Sequence, residues 1–217
     1  ACKATILARK HLPGAIELFD DIVLQCTKTS IEYAPYRFFV KGDPKALLVI
    51  EFARETKEEI DQLLDIVEQE LRANNYGYHY PRLFAGDVGK VWALRKAGLG
   101  LLANVPGDPK AVACIEDTAV AIEDQPEYVL EFEQIMKKHG KESVYYAHIG
   151  DGELHLRPIL DLKKEEDQEL FFKITDDVAT LVKKYKGSLS GEHGDGRVRG
   201  FFVEKMIGSK NYKLCQD

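Results

Sequence analysis

Cysteine is scarce in this chain and badly spaced for joint work. The four residues, Cys2, Cys26, Cys114 and Cys215, form no CxxC pair. That excludes a zinc ribbon or a cysteine-ligated iron–sulfur cluster and suits reduced thiols. Long apolar runs are missing too. Stretches such as 46–50 are far too short to cross a bilayer as a helix. There is no excess of positive charge: 30 Lys and Arg against 36 Asp and Glu give a net charge of −6, with the signs interleaved. A general nucleic-acid or anionic-membrane surface is therefore not expected. Low-complexity segments, long linkers and internal repeats are lacking, as is a secretory signal at the start, Ala1-Cys2-Lys3.

What is present is globular. Over 217 residues, 45% apolar and 30% charged, a chain can bury enough surface to fold without a disulfide or metal staple. Residues 13–25 read as a short amphipathic helix with Pro13 at its start. Residues 46–53 (ALLVIEFA) read as a strand buried on both faces. Thr56-Lys57-Glu58-Glu59 matches a capping box opening a helix to about Ala73, with Ile60, Leu63, Leu64, Val67 and Leu71 along one stripe and Asn74-Asn75 at its end. A strand is expected at 78–84, a helix at 87–102, a strand at 111–119 and a helix at 124–138 with Pro126 in its first turn. Strands at 143–149 and 153–160 and a long helix at about 164–185 follow, then a Gly-rich loop and a last short helix. This order predicts an α+β fold, ferredoxin-like, with helices on one face of a largely antiparallel sheet, in a single domain over 1–217 or two ferredoxin-like halves of it.

Two stretches carry chemistry. In YYAHIGDGELHLR (145–157) the Asp151-Gly152 pair suggests a two-residue hairpin turn. That turn would set His148 opposite His155 and Tyr146 opposite Arg157 on one face, with Leu154 and Leu156 on the other. Two imidazoles so placed can share a metal ion; the alternative is a pair of ordinary surface histidines. In GSLSGEHGDGRVRG (187–200), glycines 191, 194 and 196 bracket Glu192, His193 and Asp195. Glu192 could complete a two-His, one-carboxylate site, and His193 could act as a general base; the alternative is a flexible acidic turn. The loop is neither a Walker A motif nor a dinucleotide GxGxxG, and Ser190 lacks a nucleophile elbow. Arg95 and Lys110 flank glycines 98, 100 and 107 and could clamp a carboxylate, although such residues are more often solvated. Trp92 reads as core. Glu116-Asp117 could supply a functional acid, although a pair of solvated turn residues is the more usual reading.

Together, 145–160 and 188–200, with WALRKAGLGLL (92–102) and PGDPKAVACIEDTAV (106–120) in the same order, resemble the C-terminal domain of FAD-linked oxidases. That family includes D-lactate dehydrogenases, the flavin subunit of glycolate oxidase and D-2-hydroxyglutarate dehydrogenase. The look is nearest to large bacterial members that carry flavin and iron–sulfur modules in one chain. The resemblance implies a cap over a flavin held by an N-terminal FAD-binding domain that is absent from this sequence. The chain would then be a fragment, inactive alone.

Carried over by residue, the resemblance implies His148, His155 and Glu192 as ligands of a divalent metal, zinc first, and His193 as the base taking the hydroxyl proton while hydride leaves for the flavin. Arg95, Lys110, Arg157 and Tyr146 would bind a small 2-hydroxy acid. Arg157 stands where the hydroxyglutarate enzymes have Asn, and Leu99 where they have a hydroxyl, which puts that substrate in doubt; a D-lactate or glycolate type is the expectation. Cofactor-binding residues within this chain are not assigned. The implied setting is cytoplasmic, peripheral to a membrane in the full enzyme, and the isolated chain could form a homodimer through its flavin-facing surface. A stand-alone metal hydrolase and a non-catalytic ferredoxin-like interaction module are the competing readings.

Overall fold

The computed structural model of the chain describes residues 1–216. The side chains of Leu99 and Asn104, and with them the expectation placed on Leu99, lie outside the described residues. Helices and strands are mixed, and every strand pair within a unit is antiparallel. The chain divides into two compact units, residues 1–105 with 148–151, and residues 106–147 with 152–217. Among the described residues no helix is long and apolar enough to cross a membrane.

In the first unit, α1 (Cys2–Arg9) precedes β1 (Ala15–Asp20), α2 (Asp21–Lys28), β2 (Ala46–Glu51), α3 (Lys57–Ala73) and α4 (Gly86–Leu101). The helix expected over 13–25 is instead a strand followed by a helix. Asp20 makes the boundary: its extended backbone ends β1, and its carboxylate accepts the Val23 N–H at 3.0 Å as the cap of α2. β1 pairs with β2 from Ala15↔Glu51 to Asp20↔Ala46. Leu48 and Ile50 of β2 pack with Ala4, Leu7, Val67 and Leu71 of α1 and α3, while Leu47 and Val49 pack toward Val91 and Leu94 of α4. β2 is thus covered on both faces, yet only half-buried, because a groove of about 680 Å³ runs along it beside α3 and residues 75–85.

The capping box of α3 is complete, Thr56 and Glu59 each bonding the other's backbone N–H, a feature worth about 1 kcal/mol. Residues 78–84 form no strand. Pro81 removes a ladder donor, and the segment is held instead by the Tyr78 hydroxyl on Lys41 O at 2.7 Å and by Arg82 on Asp65 and Glu68 at 2.8 and 2.9 Å.

The second unit is built on β6 (Glu153–Leu160). β5 (Ser143–Ala147) pairs on it, and so do β4 (Ile115–Ala119) and the short β3 (Lys110–Ala111). α5 (Gln125–Lys138), with Pro126 in its first turn, and α6 (Glu165–Lys184) pack together. Leu154 and Leu156 are buried, and Tyr145, opposite Leu156, meets Phe132 of α5 edge-on at 5.8 Å. Tyr128 is fully buried and donates to Thr118 Oγ1 at 3.0 Å. Three short helices, α7 (Gly196–Arg199), α8 (Val203–Ile207) and α9 (Ser209–Gln216), close the described chain.

Candidate functional site

The hairpin register differs from expectation. β5 pairs with β6 as Tyr146↔His155 and Val144↔Arg157, so His148 is not opposite His155 and Tyr146 is not opposite Arg157. The reason is local: β5 ends at Ala147, and residues 149–151 make a turn of 3-10 helix instead of a two-residue loop. The shift is two residues, and side chains alternate with period two, so each strand keeps its faces. Tyr146, His155 and Arg157 still share the side opposite Leu154 and Leu156. The Tyr146 and His155 rings lie 5.5 Å apart, and both side chains are buried.

In the first unit, the 149–151 turn packs on β1 and α1. A Cβ on Gly150 would stand 2.9 Å from Ile16 Cβ, which is why this position takes glycine. His148, just before the turn, sets Nδ1 2.9 Å from Oε1 of Glu17. The other oxygen of Glu17 meets Arg95 at 2.5 Å (Nη2) and 2.8 Å (Nε). Glu17 and Arg95 are both buried. A carboxylate on Nδ1–H leaves Nε2 as the lone-pair nitrogen, the tautomer that a metal-ligating histidine needs. Arg95, expected as a substrate clamp, is therefore an ion-pair partner of a buried Glu. Sequence reasoning missed Glu17 because it lay inside a stretch read as helix. Trp92, read as core, is half-buried and donates to Glu51 at 2.6 Å.

In the second unit the site grows from an irregularity in β4. Ile115 pairs with Leu156 and Thr118 with Leu154, so one extra residue sits opposite His155. Asp117 takes φ +78°, a left-handed conformation that is uncommon outside glycine. Such a bulge re-aims side chains, and here it does so for Glu116 and Asp117. Both are buried, not the solvated turn residues expected. Glu116 binds Arg157 Nη2 at 2.5 Å, and its other oxygen faces His155 Nδ1 at 3.9 Å and His193 Nδ1 at 4.0 Å. The imidazoles of His155 and His193 stack 5.4 Å apart, 13° from parallel.

The glycine-rich loop is held by Asp117. Its carboxylate accepts from the backbone N–H of Glu192 and of His193, each at 2.8 Å, and from the Ser190 hydroxyl at 2.5 Å. Its own carbonyl accepts the Gly191 N–H at 2.7 Å. Burial alone would raise this carboxyl's pKa. Hydrogen bonds with Glu153, Ser190, His193 and Glu192 outweigh that and hold it well below the usual carboxylate range. Buried Arg199 adds a second tie, donating to Glu116 O and, at 2.7 Å, to Gly194 O. The backbone donors that a dinucleotide phosphate would need are thus engaged by an internal carboxylate, and this loop does not fit the pyrophosphate of FAD.

The donor set does suit a divalent ion. His155 Nε2 faces Glu192 Oε1 and Glu153 Oε1, each at 3.8 Å. That is too long for a hydrogen bond, but near the span of two bonds of about 2.1 Å meeting at a wide angle on one ion. Ligand atoms of Glu116, His155 and His193 lie within 4.8 Å of one another, as do those of Asp117, Glu153 and Glu192. His193 Nε2 stands 3.0 Å from Glu192 Oε1, and both side chains are about half exposed. The second unit therefore brings together Tyr146, His155, Arg157, Glu192 and His193. Lys110 is elsewhere: it pairs with Leu160, five residues along β6 from His155, about 17 Å at the usual strand rise.

The model of the C-terminal domain of FAD linked oxidases matches residues 1–217. The chain belongs to that family. A D-2-hydroxyglutarate dehydrogenase of Haemophilus influenzae is 34% identical over 204 residues, 89% of this chain and 20% of its own length. The enzyme of the same name from Escherichia coli is 32% identical, over 84% of this chain and 19% of its own. A D-lactate dehydrogenase of Archaeoglobus fulgidus is 26% identical, over 93% of this chain and 41% of its own. This member of the FAD-linked oxidases thus spans about a fifth of the length of the D-2-hydroxyglutarate dehydrogenases it matches.

Proposed function

We propose that this chain is the substrate- and metal-binding part of an FAD-linked dehydrogenase that oxidises a 2-hydroxy acid. The observation that carries the reading is the cluster of His155, Glu192 and His193 on the bulged sheet, in a chain that matches the family from end to end. FAD, which the rest of the longer enzyme would hold, supplies the two-electron acceptor of such a reaction.

Within the second unit, His155 and Glu192 supply two ligands for a divalent ion, zinc first; within the first, Glu17 orients the His148 ring. Such an ion polarises a substrate oxygen as a Lewis acid when bound. His193 takes the hydroxyl proton, and Glu192, 3.0 Å from its Nε2, steadies the imidazolium that results. Tyr146 packs against His155 and fixes the ring plane. Arg157, charge-paired with Glu116, contributes a neutralised pair to the site and not a lone cation, which removes one of the two departures that put hydroxyglutarate in doubt. The reading therefore takes D-2-hydroxyglutarate as the first substrate to try, beside the D-lactate and glycolate to which the sequence pointed.

The test uses the full-length enzyme, mixed without oxygen with each of the three acids while flavin absorbance is followed. Bleaching by one acid supports the reading. His193→Ala should slow the bleaching by about 100-fold or more, and chelation should abolish it until zinc is returned. No bleaching with any 2-hydroxy acid, from enzyme loaded with flavin and zinc, overturns it.

A further inference from the structure

We infer that Asp117 is the positioning residue of this site: its buried carboxylate seats the 190–193 loop and so fixes where Glu192 and His193 stand. The inference deepens the proposed function in its consequences, but its geometry is independent of that reading. Three donors from three consecutive-to-near residues, Ser190, Glu192 and His193, converge on the two oxygens of one side chain, and the Gly191 N–H takes the carbonyl of the same residue. Four contacts from a single strand residue leave the loop little freedom to slide.

The seating is also steric. A Cβ on Gly191 would come within 3.2 Å of Asp117 Oδ1 and 3.4 Å of both Ala119 Cβ and the Glu153 carboxyl carbon. Bare backbone is thus what lets the loop lie against the carboxylate. A bulge with φ +78° at Asp117 turns the carboxylate to that loop, and such a backbone position persists only where its surroundings over-determine it. Arg199, 3.8 Å from Oδ2 and bonded to Gly194 O, places a positive charge behind the same anchor. Asp117 itself does not need to touch substrate. It acts through two backbone N–H groups whose side chains do the chemistry.

The test compares wild type, Asp117→Asn and Ser190→Ala in the 217-residue chain by amide hydrogen exchange, and titrates each with zinc. Asn keeps the volume but loses the charge, and turns an N–H₂ toward a backbone donor. Asp117→Asn should raise exchange at the Glu192 and His193 amides at least 10-fold while core amides of α5 and α6 stay unchanged, and should weaken zinc binding about 10–100-fold. Ser190→Ala, which removes one donor and leaves the carboxylate, should change both by no more than a few-fold. Unchanged exchange at 192 and 193 in Asp117→Asn overturns the inference. So does an effect of Ser190→Ala as large as that of Asp117→Asn, a comparison that stands even if the Asn variant folds poorly. If wild type takes up no zinc, the metal reading fails, while the exchange data still decide the role of Asp117.

Discussion

Glu17→Gln tests the buried charge centre of the first unit most sharply. Each oxygen of Glu17 has its own donor, Arg95 on Oε2 at 2.5 and 2.8 Å and His148 Nδ1 on Oε1 at 2.9 Å. Both members of the ion pair are almost wholly withdrawn from water, with side-chain exposures of 4% and 6%. Gln preserves shape and one acceptor but removes the charge that compensates the guanidinium. Breaking a buried pair on one side costs about 3–5 kcal/mol. The retained acceptor places this variant at the low end, about 3 kcal/mol, measured by urea unfolding of the chain at neutral pH. Removing the cation as well, in Glu17→Gln with Arg95→Met, should recover at least half of that loss, because the main cost is a buried ion pair broken on one side and not a lost contact.

A second consequence concerns the proton on His148. Gln offers one oxygen and one N–H₂. If the oxygen keeps Arg95, the amide turns a donor on Nδ1, and the imidazole must move its proton to Nε2. Nitrogen chemical shifts of the His148 ring report this directly. A stability loss below about 1 kcal/mol, or a double variant whose loss equals the sum of its singles, would refute the reasoning.

Gly152→Ala should cost about 3 kcal/mol and lower Tm by roughly 6–12 °C, because φ is +88° and the new Cβ would stand 2.4 Å from Val120 O; a scanning-calorimetry shift under 2 °C would count against the close approach. Asp167 governs part of the acid limb. Burial would raise its carboxyl, but the Lys141 ammonium at 2.5 Å and the Asp161 N–H at 2.7 Å hold it below the ordinary value. A folded pKa below the unfolded one means that this stabilisation is complete above about pH 4 and is lost as pH falls through the folded value. Asp167→Asn should therefore unfold in less urea at pH 7 and show a flatter loss between pH 5 and pH 3. Parallel curves for variant and wild type would exclude the assignment.

What the sequence determined by itself was whatever local chemistry decides. Thr56 and Glu59 are three residues apart, so the start of α3 was legible, and Pro126 marked the first turn of α5 in the same way. The alternation of Leu154 and Leu156 with His155 and Arg157 assigned the two faces of β6 correctly even though the register was off, since a shift of two residues preserves parity. The pairing of His148 with His155 failed because it assumed the tightest turn that Asp-Gly allows; the turn that forms instead is set by the fit of Gly150 against Ile16, 134 residues away in sequence.

Tertiary structure alone decided the rest. Residues 15–20 carry an apolar pattern that suits either a short helix or a strand, and pairing with β2 across some thirty residues resolved it as β1. Glu17 became a site residue only when that strand set it beside Arg95 and His148. Glu116 and Asp117 read as solvated by composition, because acidic pairs usually are; a bulge opposite His155 buried them and aimed them at Arg157 and at the 190–193 loop. The histidines and Glu192 stood out in the sequence by type and spacing. The carboxylates that orient them did not, since a buried charge is tolerated only where distant residues supply its partners, and no local pattern records that.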